Sequence, residues 1–148
     1  MAMPRAEVEI DEARVRQLLA AQHPDLADMP MVAVPSGWDN AMFRLGNSLA
    51  VRLPRRALAA PLIVNEQRWL PQLAHLLPVK VPVPVRAGVP QGWYPWNWSI
   101  VPWLEGQTAD DAPPRDDQAE ILGQFFEALH RPAPAEAPRN RYRGVPLQ

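Results

Sequence analysis

The stretch from Ser36 to Arg56, SGWDNAMFRLGNSLAVRLPRR, decides the fold. It reads as a loop, a strand, a tight turn and a second strand. Met42 to Leu45 alternates, and Gly46-Asn47 then offers the residue pair that suits a two-residue hairpin turn, since both tolerate positive φ. Ser48 to Leu53 alternates again, with Leu49, Val51 and Leu53 on one face and Ala50 and Arg52 on the other. A permanent cation therefore points off a strand beside a small residue. That cation needs a partner.

A partner is on offer in the helix that follows. From Leu62 the apolar residues Leu62, Trp69, Leu70, Leu73, Leu76 and Leu77 make a helical stripe. Glu66 lies four residues after Leu62 and three before Trp69, so the spacing places its carboxylate on the inner side. A carboxylate there is costly unless paired. The phases of strand and helix thus predict an Arg52–Glu66 ion pair, which would also serve a purely structural role.

Outward from this unit, Asp11 is placed to cap a helix that runs to about Gln22, with Ile10 and Val15 as a hydrophobic staple. Met1 to Glu9 lacks periodicity and is expected to be mobile. Met31 to Val34 reads as a strand. Val79 to Val85 alternates valine with lysine and proline and suits an edge or connector, leading to a strand near Val83 to Ala87. After a turn over Gly88 to Pro95, Trp96 to Trp103 is a further strand. Asp117 with Glu120 forms a capping box for a helix whose Ile121, Leu122, Phe125, Phe126 and Leu129 make a wide apolar stripe. Arg131 to Gln148 reads as a connector.

The 148 residues suffice for one domain, or one small domain and part of another, and 47% of them are apolar. The 19 prolines keep long helices out of the middle of the chain. With no cysteine there is no disulfide or thiolate metal site, and His23, His75 and His130 lack metal-ligand spacing. The formal net charge of −1 argues against a protein that mainly grips nucleic acid, and no basic groove accompanies the aromatic run Trp93 to Trp103. No apolar run is long enough for a signal or membrane segment, so no membrane partner and a cytoplasmic address are expected.

Four segments together carry a resemblance: Val-Arg-Leu-Pro at 51–54, Asn-Glu-Gln-Arg-Trp-Leu-Pro-Gln-Leu-Ala at 65–74, Val-Pro-Val-Pro at 81–84, and Trp-Ser-Ile-Val-Pro-Trp-Leu-Glu-Gly at 98–106. From about Met31 to Pro146 the chain resembles the small lobe, and the start of the large lobe, of the aminoglycoside phosphotransferase family, which has a protein-kinase-like fold. The resemblance implies an α+β chain: an antiparallel sheet of about five strands with a packed helix, plus one helix of a missing large lobe. Residues 1–30 would be an N-terminal helical segment, 31–106 the nucleotide-binding lobe with its hinge, and 107–148 a connector and first helix of the large lobe.

By the same resemblance, Ala50 makes room for a purine base, and Arg52 holds phosphates while paired with Glu66. Arginine stands where lysine is usual, offering a planar fork to two phosphate oxygens. Ser36, Gly37, Asp39 and Asn40 match the loop over the phosphates, although with one glycine this stretch also suits a plain polar turn. Ile100 to Trp103 match the hinge, with Ile100, Val101 and Trp103 as its nucleotide-binding residues. Arg55 and Arg56 read more readily as a solvated strand end than as phosphate ligands. The family's catalytic loop, a His-Gly-Asp stretch, and its metal-binding aspartate have no counterpart here, so no catalytic or metal residue is assigned.

The implied partners are ATP or GTP with Mg²⁺, whose ligands would lie outside this chain, and a small-molecule acceptor. The expected function is that of the nucleotide-binding part of a phosphotransferase, unable to transfer phosphate by itself. The alternative is a non-catalytic interaction module, with a homodimer formed through the exposed Phe125/Phe126 helix.

Overall fold

A computed structural model describes residues 4–35 and 37–138. Helix α1 (Glu12–Gln22) and a short 3₁₀ turn (Pro24–Leu26) lead into β1 (Met31–Val34), β2 (Asn40–Leu45) and β3 (Leu49–Pro54). Helix α2 (Ala60–Leu73), β4 (Arg86–Gly88), β5 (Trp98–Pro102) and α3 (Asp117–Leu129) follow. The five strands form one sheet in the order β1-β2-β3-β5-β4, antiparallel throughout.

Alternation along the strands divides the sheet into two chemically different faces. Ala41, Phe43 and Leu45 of β2, Val51 and Leu53 of β3, and Trp98 and Ile100 of β5 all point to one side. There they meet Val15, Leu18 and Leu19 of α1, and these residues form one buried cluster. Burial of such side chains, worth about 1.5–3 kcal/mol each, seats α1 on this face. The capping that the sequence predicts for α1 is present: the Asp11 carboxylate accepts from the Arg14 backbone N–H at 2.8 Å.

The structure corrects several local expectations. Leu45 pairs with Leu49, so the hairpin connection has three residues, Gly46 to Ser48. Only Gly46 takes positive φ there (59°), and its N–H is committed to the Pro30 carbonyl at 2.7 Å, so Asn47 is not the second left-handed residue of a two-residue turn. Helix α2 begins at Ala60 rather than Leu62 and passes through Pro71. Its fully buried residue is Ile63, while Leu62 and Val64 are exposed. Strand β4 starts at Arg86 because Pro82 and Pro84 have no N–H to give a ladder, and the first donor toward β5 is Val85, whose N–H reaches the Ile100 carbonyl at 2.8 Å. Strand β5 is shorter than Trp96 to Trp103.

At the N-terminus, Glu7 is tied down rather than mobile: its N–H donates to the Arg55 carbonyl and its carboxylate accepts from the Ala57 N–H. The capping box of α3 does not form. Asp116 occupies the N-cap position with helical dihedrals and no side-chain bond, because the Asp117 carboxylate is held by the Arg115 guanidinium at 2.9 Å. The apolar stripe of α3 stays largely open: Ile121, Leu122, Phe126 and Leu129 are exposed, and no α3 side chain is buried among the described residues.

Two residues that pattern reading overlooks complete the core. Tyr94 is fully buried, and its hydroxyl donates to the Pro54 carbonyl at 3.0 Å, joining the 91–94 turn to the end of β3. Gly88 lies beneath the Trp98 indole, and a Cβ on Gly88 would fall inside that ring. Gly88→Ala therefore forces the buried indole or the β4 edge to move. The expected loss is about 1–3 kcal/mol, as for other overpacked cores, read in urea as a lower midpoint at unchanged slope. A midpoint equal to that of the wild type would contradict this packing.

Candidate functional site

The second face of the sheet is small and polar where the first is apolar. Asn40, Met42 and Arg44 of β2, Ala50 and Arg52 of β3, and Ser99 and Val101 of β5 alternate onto it. Register sets the neighbours: Met42 opposes Arg52, Arg44 and Val101 flank Ala50, and Ser99 opposes Arg52. Over this face lies a cleft of about 500 Å³. Gly37, Trp38, Asp39 and Asn40 form one wall and Pro102, Trp103 and Leu104 another, with Ala50, Val101 and Met42 as the floor and Pro82 at the rim. Ala50 is 1% exposed and contributes no bulk, so a planar group can approach the strand there.

Arg52 projects into the cleft and is held from behind by Glu66 of α2. Its guanidinium lies 2.8 Å from the Glu66 carboxylate, and each side chain is about a quarter exposed (24% and 25%). Burial pushes the Glu66 carboxyl above its ordinary range, and the charge and hydrogen bond of Arg52 pull it back only in part. Losing one partner of such a half-buried pair costs about 1–3 kcal/mol, less than for a fully buried pair because water still reaches both groups. The guanidinium presents several N–H donors, so one fork can be tied to Glu66 while others face the cleft.

The loop wall is fastened to the end of β3. The Asp39 carboxylate pairs with the Arg56 guanidinium, the Asp39 carbonyl accepts from the Arg55 N–H at 2.8 Å, and the Gly37 carbonyl accepts from the Arg55 guanidinium at 3.2 Å. Arg56 is thus a paired residue, its side chain only 21% exposed, and not a solvated strand end. At the opposite wall Arg44 stacks over the Trp103 indole, 4.8 Å from its centroid, and pairs with Glu105 at 2.8 Å. Among the described residues, the buried Asn40 side-chain oxygen and Trp103 indole nitrogen meet no hydrogen-bond partner.

Of the residues singled out from the sequence, the cleft brings together Gly37, Asp39, Asn40, Ala50, Arg52, Val101 and Trp103. Glu66 stands behind Arg52 and is not part of the lining. Ile100 points to the other face and is fully buried in the core, so any contact it makes with the cleft is through its backbone. Ser36 lies outside the described residues. Sequence reading passed over Trp38, Met42, Pro82 and Leu104. Met42 was recoverable, because alternation puts it on the face of Arg52 once the hairpin is paired; Pro82 comes from a connector whose path no local signal gives.

The fold has counterparts among known proteins. A model of the phosphotransferase enzyme family (APH) matches residues 30–147, and the chain belongs to that family. Among solved structures it is similar to aminoglycoside 2'-phosphotransferase-IIIa in its GDP complex, with a TM-score of 0.72 and 20% identity over 81% of this chain and 42% of that one. The GDP and kanamycin complex of APH(2")-IIia matches with a TM-score of 0.68 and 20% identity, covering 78% of this chain and 41% of that one. ADP-bound aminoglycoside phosphotransferase APH(2'')-Ib matches at 0.58 and 18%, covering 82% and 40%. These likenesses establish the kinase-like fold of the aminoglycoside phosphotransferases. The chain spans about two fifths of the length of these structures. Comparison with curated proteins gives no match. Among the described residues no helix is long and apolar enough to cross a membrane.

The raised Glu66 carboxyl has a measurable consequence. The folded chain holds this proton more tightly than the unfolded chain, so Glu66 contributes stability below the ordinary carboxylate range and loses that contribution as pH rises through its elevated midpoint. In thermal melts across that window, the difference between wild type and Glu66→Gln is expected to change with pH. A constant offset between the two profiles would contradict the assignment.

Proposed function

We propose that the cleft binds the purine nucleoside triphosphate ATP or GTP, and that the chain is the nucleotide-binding lobe of a phosphotransferase acting on a hydroxyl of a small molecule. The observation that carries this reading is Arg52, a fixed cation held in the cleft by Glu66 at 2.8 Å beside the small, buried Ala50. Phosphoryl transfer asks the protein for positioning and charge neutralisation more than for covalent chemistry. A guanidinium that a carboxylate keeps from swinging away can neutralise phosphate oxygens without being reorganised at the moment of reaction. The purine would lie over Ala50 and Val101, walled by Trp103, with the backbone from Ile100 to Trp103 along its edge. Gly37, Asp39 and Asn40 would lie over the phosphates. Family membership supports this reading, as do the GDP- and ADP-bound states of the similar structures.

Within this proposal residues 31–106 are the nucleotide lobe with its hinge, residues 1–30 an N-terminal segment whose helix backs the sheet, and residues 107–148 the connector and first helix of a larger lobe. The kanamycin complex of one similar structure and the streptomycin complex of another favour a polyhydroxylated or aminated acceptor. The Mg²⁺ that accompanies a nucleoside triphosphate finds no ligand set here: among the described residues no group of three or more His, Asp or Glu is placed to hold a metal, and the Asp39 carboxylate is engaged by Arg56. No step is assigned to the metal. The residues present bind and orient; with no base for an acceptor hydroxyl assigned among the described residues, they are expected to bind nucleotide and not to transfer phosphate.

Titration calorimetry of the 148-residue chain with MgATP and with MgGTP tests the reading. Arg52→Ala is expected to weaken the binding of whichever nucleotide binds by about 10- to 100-fold, the worth of a charge-assisted hydrogen bond. Equal affinity in wild type and Arg52→Ala would refute the role given to Arg52.

A further inference from the structure

Helix α2 is a 14-residue helix whose attachment to the sheet includes specific polar contacts. Ile63 is its only fully buried side chain among the described residues, and Leu62 and Val64 are exposed. Besides Ile63 and the half-buried Trp69, Leu70 and Leu73, polar contacts from two consecutive residues join it to the strands. Glu66 reaches β3 through Arg52. Gln67 reaches β5: its side-chain amide donates to the Trp98 carbonyl at 2.8 Å and to the Ser99 hydroxyl oxygen at 3.0 Å. Ser99 is 1% exposed and stands opposite Arg52 in the β3–β5 register. The four residues thus form a small polar frame: the strands fix Arg52 beside Ser99, and the helix fixes Glu66 beside Gln67.

We infer that Gln67 is a positioning residue for the cleft, setting the distance between α2 and the sheet and so the grip of Glu66 on Arg52. The physical argument is one of stiffness. An ion pair alone tolerates a range of distances and angles, because Coulomb attraction falls slowly with separation. Hydrogen bonds to a backbone carbonyl and to a buried hydroxyl are short and directional. A second anchor one residue along the helix, on a different strand, removes the rocking that the first would allow. With Ile63 fully buried and Trp69, Leu70 and Leu73 only half-buried, apolar packing limits this rocking only in part. Loss of the amide would let α2 lift and the Arg52 guanidinium relax into the cleft, weakening the site proposed for phosphate. This inference rests on that reading for its consequence, though not for its geometry.

The test uses Gln67→Met, which keeps the length of the side chain and removes both donors, with Gln67→Asn as a second variant that shortens the amide. The coupling between Arg52 and Glu66 is measured by denaturation of Arg52→Ala, Glu66→Ala and the double variant, in the wild-type and Gln67→Met backgrounds. A positioning role predicts that the coupling falls by at least half in the Gln67→Met background. It also predicts weaker binding of MgATP or MgGTP by about tenfold, the worth of one lost hydrogen bond, with no further loss when Gln67→Met is added to Arg52→Ala. A lowered melting temperature with undiminished Arg52–Glu66 coupling would make Gln67 merely structural and overturn the inference. If Gln67→Met does not fold, the same cycle in a Gln67→Asn background decides, because the shortened amide cannot keep both bonds, and undiminished coupling there overturns it equally. If the wild type binds neither nucleotide, the nucleotide reading fails by itself, while the coupling cycle still decides the role of Gln67.

Discussion

The structure depends on one ion pair across two elements, Arg52 on β3 and Glu66 on α2. Strand alternation puts Arg52 on the face opposite the core, where no apolar partner could use it, and a helix laid over that face must meet it with a counter-charge. The pair is not cheap to form. Burial alone disfavours the Glu66 carboxylate, and Arg52 compensates only partly, so its carboxyl stays above the ordinary range. With desolvation outweighing the attraction of Arg52, ionising Glu66 adds no net stability to the folded chain. What the pair secures is orientation, a guanidinium aimed into the cleft.

Everything else in the lobe divides according to which face of the sheet it serves. The apolar face takes α1 and the Trp98 indole, with Gly88 making room for that ring and Tyr94 tying the 91–94 turn to Pro54. The polar face is kept open by small or flat residues, Ala50, Val101 and Pro102, and walled by a loop that Arg55 and Arg56 fasten at one end. A rigid apolar half thus supports a cleft whose walls are set by hydrogen bonds and ion pairs. That division suits the nucleotide site proposed above.

Much of this was legible in the sequence, and the reasons are specific. Period-two alternation over Ser48 to Leu53 and helical spacing around Glu66 were enough to bring Arg52 and Glu66 together. The same helical spacing misplaced Leu62, because the buried side of α2 is decided by where Glu66 and Gln67 dock and not by the widest apolar stripe. The cap of α3 was misread because Arg115, two residues before Asp117, competes for the carboxylate that a capping box needs. Gly88 and Tyr94 were invisible for another reason: a glycine under an indole and a buried phenol acquire meaning only from a tertiary partner. The open apolar stripe of α3, by contrast, was predicted from spacing and is present.

The most direct measurement of the central claim is a map of backbone amide shifts on titration of the 148-residue chain with MgATP and MgGTP. The account predicts changes concentrated at 37–42, 50–52 and 101–104, extending to Glu66 and Gln67 through Arg52, with the 88–96 segment on the far side unmoved. Shifts centred on the Trp93 to Trp96 aromatics, or none at saturating nucleotide, would contradict it.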